Sequence, residues 1–196
     1  MRRIGAVIAA LVMAGAGLGV ASSAAGAAPA ATAQATALAT ACPTGWGSGA
    51  KGGPTAGAVP LENIRTGRHA CFDRMVFDVP GGGHHLGYYV RYVSRLHQTA
   101  SGRYIPVGGG AVLDVRIGAP SYDPETGAAT YPGRVGRTLP GVNLTGYRTF
   151  RDTRFAGSFE GETQVGLGVR ARLPFRVIQL PDHLVIDVAH NWTGSR

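Results

Sequence analysis

From residue 62 onward, apolar and polar residues alternate one by one in short runs. In FDRMVFDV, Phe72–Val79, the side chains of Met75, Phe77 and Val79 share one face, and those of Arg74, Val76 and Asp78 the other. In PDHLVIDV, Pro181–Val188, Leu184, Ile186 and Val188 oppose His183, Val185 and Asp187. GYYVRYVSRLH (Gly87–His97) sets Tyr88, Val90, Tyr92 and Leu96 against Tyr89, Arg91, Val93 and Arg95. AVLDVRI (Ala111–Ile117) sets Leu113, Val115 and Ile117 against Asp114 and Arg116. QVGLGVRARL (Gln164–Leu173) sets Val165, Leu167, Val169, Ala171 and Leu173 against Arg170 and Arg172, and FRVIQL (Phe175–Leu180) adds a further short run. A period of two, carried by β-branched and aromatic residues, predicts half-buried strands.

Breakers punctuate these runs: PGGG at Pro80–Gly83, VGGG at Val107–Gly110, YDPETG at Tyr122–Gly127, LPG at Leu139–Gly141 and LPD at Leu180–Asp182. No long apolar stripe of helical period follows residue 60, although a short helix over Asn143–Phe150 fits the local pattern. Many short strands with regular turn signals predict an all-β fold, a sandwich or barrel. The octets Phe72–Val79 and Pro181–Val188 end alike, 109 positions apart. An internal repeat would place them at equivalent positions in two halves; coincidence of a common strand phrase leaves the same trace.

The first residues read differently. Met1-Arg2-Arg3 is basic, Ile4–Val20 is apolar or glycine without a charge, and Ala25-Gly26-Ala27 is a small-residue cleavage pattern. That order predicts a secretory signal peptide over residues 1–27. The apolar run is shorter than the roughly 20 residues of a spanning helix, so no transmembrane span is expected after cleavage. Residues 28–61, dominated by Ala, Thr, Gly and Pro, predict a disordered tether. Residues 62–193 then have the size of one domain.

Export changes the meaning of the two cysteines. Cys42 and Cys71 in an oxidising compartment predict one disulfide, closing a loop that stabilises by about 3 kcal/mol in the chain-entropy model. Charge narrows the partners. Lys plus Arg number 19 against 11 Asp plus Glu, a formal net charge of +8, and Lys51 is the sole lysine. A basic exported chain suits an anionic wall polymer or acidic polysaccharide; nucleic acid is not expected outside the cell. An arginine-rich solvated surface without a ligand gives the same composition.

Catalytic constellations are lacking. Gly157-Ser158-Phe159-Glu160-Gly161 does not have the spacing of a serine nucleophile elbow, and no phosphate-binding loop occurs. His84-His85 are adjacent, so in a strand they would point to opposite faces; no metal or other cofactor is expected. Glu160 and Glu162 stand along one run, whereas glycoside hydrolysis needs carboxyls about 5–10 Å apart across a cleft. Asp78 and Asp187 suit structural roles as acceptors for backbone or arginine donors. The remaining candidates are Tyr89, Arg91 and Arg95 on one predicted strand face, and Arg170 and Arg172 on another. Arginine forks grip carboxylates and phosphates, and tyrosine faces stack on sugar rings.

Phe155–His190, FAGSFEGETQVGLGVRARLPFRVIQLPDHLVIDVAH, together with FDRMVFDV upstream, resembles the AMIN-like domain of exported actinobacterial proteins. That group is similar to the AMIN domain found beside cell-wall amidases and in secretin pilus proteins. FEGETQVGLGVR, PFRV and LVIDVAH are the most specific pieces, and the resemblance spans residues 62–193. It implies a β-sandwich of two similar sheets and a non-enzymatic binding role at the cell envelope, with peptidoglycan as the usual ligand. It supplies no catalytic residues. No amidase or secretin sequence accompanies the domain here, so the expectation is a secreted or cell-wall-associated module acting alone or in trans. An envelope hydrolase with an unrecognised carboxylate site, and an adaptor recruiting a wall amidase or another envelope protein, are the alternatives.

Overall fold

The computed structural model describes Cys42, residues 45–53 and residues 59–192; the expected signal peptide and most of the expected tether lie outside the described residues. Eleven strands and no helix occur among them: β1 (Lys51–Gly53), β2 (Asn63–Arg68), β3 (Phe72–Asp78), β4 (Tyr88–Val93), β5 (Leu96–His97), β6 (Tyr104–Ile105), β7 (Ala111–Ile117), β8 (Phe150–Phe159), β9 (Glu162–Val169), β10 (Phe175–Leu180) and β11 (His183–Ala189). None of the described segments is a helix long and apolar enough to cross a membrane.

The strands form two main antiparallel sheets, as the alternation predicted. One has the order β1-β4-β7-β9-β8, the other β10-β11-β3-β2, and β5 and β6 make a separate small hairpin. The inward residues of both sheets meet in one core. Val90, Leu113, Val115, Val165 and Leu167 come from the five-stranded sheet, and Ile64, Met75, Phe77, Leu184 and Ile186 from the four-stranded one. Ile64 on β2 aside, these are the alternate positions that the two-residue period assigned to the apolar faces of β3, β4, β7, β9 and β11.

The two similar octets turn out to be neighbours. They form β3 and β11, the central pair of the four-stranded sheet, with Ile186 opposite Met75 and Asp187 opposite Arg74. They do not sit in equivalent places of two sheets. Their likeness reflects a shared environment: each is covered by the core on one face and flanked by a strand on both sides. Asp187 is fully buried and accepts from Arg74 (Nε 2.6 Å, Nη2 2.9 Å) and from Arg176 Nε at 2.8 Å. Asp78 accepts from Arg65 Nε at 3.0 Å and Asn63 Nδ2 at 3.1 Å. Both aspartates thus serve as arginine acceptors.

Three expectations need correction. No helix forms over Asn143–Phe150. Asn143 Oδ1 accepts from Thr145 N at 2.9 Å, Gly146 adopts a positive φ of 79°, and the chain turns into β8 instead. The tether does not extend to residue 61. Gly47 C=O accepts from Phe175 N at 2.9 Å, beside the β10 edge, and β1 then pairs with β4, so residues 47–53 strap one sheet to the other. The run Gly87–His97 is two strands. β4 stops at Val93, and the break lets Leu96 fold back over the outside of the five-stranded sheet. The predicted disulfide is present: Cys42 and Cys71 are bonded, 29 positions apart, and hold the start of the strap to the β2–β3 turn.

That outside covering explains the glycines of QVGLGV. Leu96, Ile105 and Ala156 form a second small core with Val107 and Val112. It lies on β9 where β9 carries no side chain. A Cβ on Gly166 would come within 2.4 Å of Leu96 Cδ2, and one on Gly168 within 1.8 Å of the Gly108 carbonyl oxygen. Gln164, also outward on β9, fixes the same covering. Its Oε1 accepts from Thr99 N and Oγ1 at 2.9 and 3.0 Å, and its Nε2 donates to the His97 carbonyl at 3.0 Å and to Asp114 at 2.8 Å.

Gly168→Ala should therefore destabilise the domain by about 1–3 kcal/mol, the usual cost of overpacking. Urea unfolding should show a lower midpoint at unchanged slope; an unaltered midpoint would mean that the covering segment is not seated against β9.

Candidate ligand-binding surface

The outer face of the five-stranded sheet carries the charged side chains that the alternation turned away from the core. Register places Tyr89 opposite Arg116 and Arg91 opposite Asp114. The Arg91 guanidinium lies 5.5 Å from the Tyr89 ring centre. Asp114, almost wholly buried, has Arg116 Nη2 at 3.3 Å and Arg91 Nε at 3.9 Å from the same carboxylate oxygen. One carboxylate thus serves two guanidiniums, and Arg91, the more distant and more exposed, is held loosely.

Arg95 follows in the bend after β4. Its guanidinium lies 5.9 Å from the Tyr104 ring, and no carboxylate pairs with it among the described residues. Tyr89 and Tyr104 are 41% and 52% exposed. Each ring has a guanidinium near it, a contact worth about 0.5–1 kcal/mol at an exposed site. Two tyrosine–arginine couples are thus exposed, one on β4 and one between the bend after β4 and β6, and Arg95 has no carboxylate partner among the described residues.

The other two predicted residues stand elsewhere and differently. β9 ends at Val169, so Arg170 and Arg172 belong to the crossing between the sheets and do not project from a strand face. Arg170 donates to the His190 carbonyl. Arg172 donates from Nε and Nη2 to Ser48 Oγ and C=O, both at 3.1 Å, and lies 5.2 Å from the Tyr92 ring. The period of two fails here because the chain leaves the sheet, and Leu173 and Phe175 turn into the core of the other layer.

Beside Arg172 runs a groove of about 430 Å³, lined among others by Tyr92, Ser94, Gly109, Gly110 and Val112. Tyr92 is tied at its floor: its hydroxyl donates to Leu173 C=O at 2.8 Å and accepts from Leu173 N at 3.0 Å. Burial pushes this phenol up to about 12, against the lowering pull of the Leu173 hydrogen bond and the Arg172 charge. Lys51, in the strap, reaches the Phe175 ring at 4.6 Å and the Trp46 carbonyl at 2.8 Å; burial lowers its pKa.

Glu160 and Glu162 do not face one another across a cleft. Glu160 takes a left-handed φ of 48° in the tight β8–β9 turn, followed by Gly161 at 79°, and Glu162 opens β9. That pair of positive φ values is the geometry of a primed two-residue hairpin. His84 and His85 are exposed between β3 and β4. Residues that the sequence did not single out are Arg116, Tyr104 and Trp192. Arg116 was legible on the polar face of AVLDVRI; Tyr104 and Trp192 sit in segments too short to show a period.

Tyr92 gives a pH prediction. A phenol whose pKa is raised by folding contributes stability that is fully present below its ordinary value near 10 and is lost as pH climbs toward about 12. Thermal melts of the native chain should fall over that interval, and in Tyr92→Phe, less stable at neutral pH, the fall should be shallower. Equal slopes in the two chains would refute the assignment.

The family model described as AMIN-like domain matches residues 59–190. No curated protein and no solved structure matches the chain.

Proposed function

The chain belongs to the AMIN-like domain family, and we propose that it is an exported, non-catalytic cell-envelope module. It would hold peptidoglycan or another anionic wall polymer on the Tyr89–Arg91–Arg95–Tyr104 surface. The family supports the coarser part, a module related to the cell envelope, and the disulfide agrees with an extracytoplasmic setting.

One observation carries the finer part. Both exposed tyrosines of this surface have a guanidinium near the ring, and the charge of Arg95 has no carboxylate to offset it among the described residues. Such couples present a ring for a sugar face and a fork for a carboxylate or phosphate a few ångströms apart. Binding of this kind is electrostatic in large part, so it weakens with salt.

The test is sedimentation with purified cell wall. The native chain should pellet at low ionic strength and be released as salt rises. Arg91→Ala/Arg95→Ala should reduce binding by about tenfold or more, the loss of roughly 1.4 kcal/mol or more. A native chain that stays in the supernatant at low salt defeats the proposal, as does a double variant that pellets like the native chain. Release of dye from labelled wall that disappears in Glu160→Gln would replace it with the hydrolase alternative.

A further inference from the structure

The two main sheets end in four edge strands: β1, β8, β10 and β2. An edge offers bare N–H and C=O groups to any other chain, and proteins blunt it by covering it, shortening it or charging it. β1 is short, with three residues. β8 is covered: Gly136 N donates to Phe155 C=O at 2.8 Å, and Phe155 N to Arg137 C=O at 2.9 Å. β2 carries Arg65 and Arg68. β10, FRVIQL, has none of these devices along most of its length. Its one charged side chain, Arg176, is engaged by Asp187 at 2.8 Å.

The ladder fixes which groups of β10 are bare. Ala189 N donates to Pro174 C=O, and Phe175 N turns the other way, to Gly47 C=O, both at 2.9 Å. Bonding alternates along an antiparallel pair. Arg176, Ile178 and Leu180 therefore bond to β11, and Phe175, Val177 and Gln179 point their main-chain groups away from it. Gly47 takes the first of these. Among the described residues nothing bonds to the N–H or C=O of Val177 and Gln179. The free stretch thus runs over residues 176–180. The Gly47 strap bounds it at one end, and at the other Pro181, which has no N–H and opens the turn to β11. Its midpoint is Ile178. On the outer face Ile178 stands opposite Val185, and Val185 opposite Val76, so an apolar row runs up to this bare edge beside Leu180, 41% exposed.

We propose that β10 pairs antiparallel with β10 of a second copy of this chain, about a two-fold axis at Ile178, so that the two four-stranded sheets become one. In that register Val177 exchanges both backbone hydrogen bonds with Gln179 of the second copy, and the reverse. Ile178 meets Ile178, which continues the apolar row across the axis. Arg176 faces Leu180, so no like charges stand opposite one another. The position opposite Phe175, whose N–H Gly47 already holds, falls to Pro181, which offers no donor. A free edge bounded at both ends and matched to its own reverse selects a second copy over an unrelated strand. The inference does not depend on the wall-binding surface, which lies on the other sheet; a chain that fails to pellet with wall could still pair here, and the reverse.

Sedimentation equilibrium of the native chain should show a monomer–dimer equilibrium that moves to dimer as concentration rises. Ile178→Lys sets two ammonium groups against each other at the axis. It should raise the dimer dissociation constant about tenfold or more, with the melting temperature of the dilute chain retained. Cysteines test the register. Directly opposed residues of a pair without mutual backbone bonds have Cα atoms about 4.5 Å apart, within disulfide reach, so Ile178→Cys should give a covalent dimer on oxidation with diamide. Two copies of Leu180→Cys would lie roughly 14 Å apart along the paired strands. That chain should stay uncrosslinked, although position 180 is the more exposed. A native chain that is monomeric at every concentration, an Ile178→Lys chain that dimerises like the native one, or equal crosslinking from positions 178 and 180 would each overturn the pairing.

Discussion

The contact between the bare backbone of β9 and the covering segment 94–110 is the constraint on which the rest of the surface depends. β9 is interior in its sheet and buried on both faces. Val165, Leu167 and Val169 fill the core between the sheets, and Gly166 and Gly168 receive Leu96, Val107 and the Gly108 carbonyl from outside. A strand with side chains at both glycines would push the covering segment away. Arg95, Tyr104 and the Gly109–Gly110 wall of the groove belong to that segment, so their placement rests on two absent side chains. This gives a physical reason for the motif QVGLGV that neither strand propensity nor a turn supplies; glycine inside a strand weakens it unless another backbone must come close.

Charge compensation then sorts the arginines. A formal charge of +8 could describe a uniformly sticky surface, but the neighbours of several arginines set them apart from one another. Arg74 and Arg176 converge on the fully buried Asp187 and lie against Phe72 and Trp46, so they are committed to the four-stranded sheet. Arg116 is engaged by Asp114, and Arg65 by Asp78. A desolvated carboxylate needs such partners, because leaving it unpaired costs several kcal/mol. Arg95 and Arg172 have aromatic and neutral partners in place of carboxylates. The same side chain therefore acts as structural counter-ion in one place and as available charge in another, and only the neighbours distinguish them.

Legibility followed the same division. The inward faces of β3, β4, β7, β9 and β11 were readable because water excludes every second residue of a strand from one side, a rule the sequence displays without help. β8 was not readable. Its pairing with β9 shifts register between Phe150 and Asp152 and again between Phe155 and Gly157, so its apolar residues lose the period of two. β2, NIRTGR, is an edge strand with one fully inward apolar side chain, Ile64, and shows hardly any period. Of the predicted ligand residues, Tyr89 and Arg91 lie on the outer strand face as read, whereas Arg170 and Arg172 were assigned to a strand that had already ended. Exposure of Tyr104 and Trp192 depends on how distant segments pack, which no local pattern encodes.

The similarity of FDRMVFDV and PDHLVIDV finally becomes a statement about closure. Adjacent central strands of one sheet experience the same demands: a fully apolar inward face, and an outward face on which flanking strands supply partners for an aspartate. In β11 those partners are Arg74 and Arg176 on its two neighbours; in β3 they are Asn63 and Arg65 on β2. Pairing a strand from near the start of the domain with the last strand also joins its two ends in the middle of a sheet. The buried contact of His190 Nε2 with Asp73 Oδ1, at 3.1 Å, and the Cys42–Cys71 bond lie at the same end of that pair. Trp192 leaves directly from there and returns to Arg172.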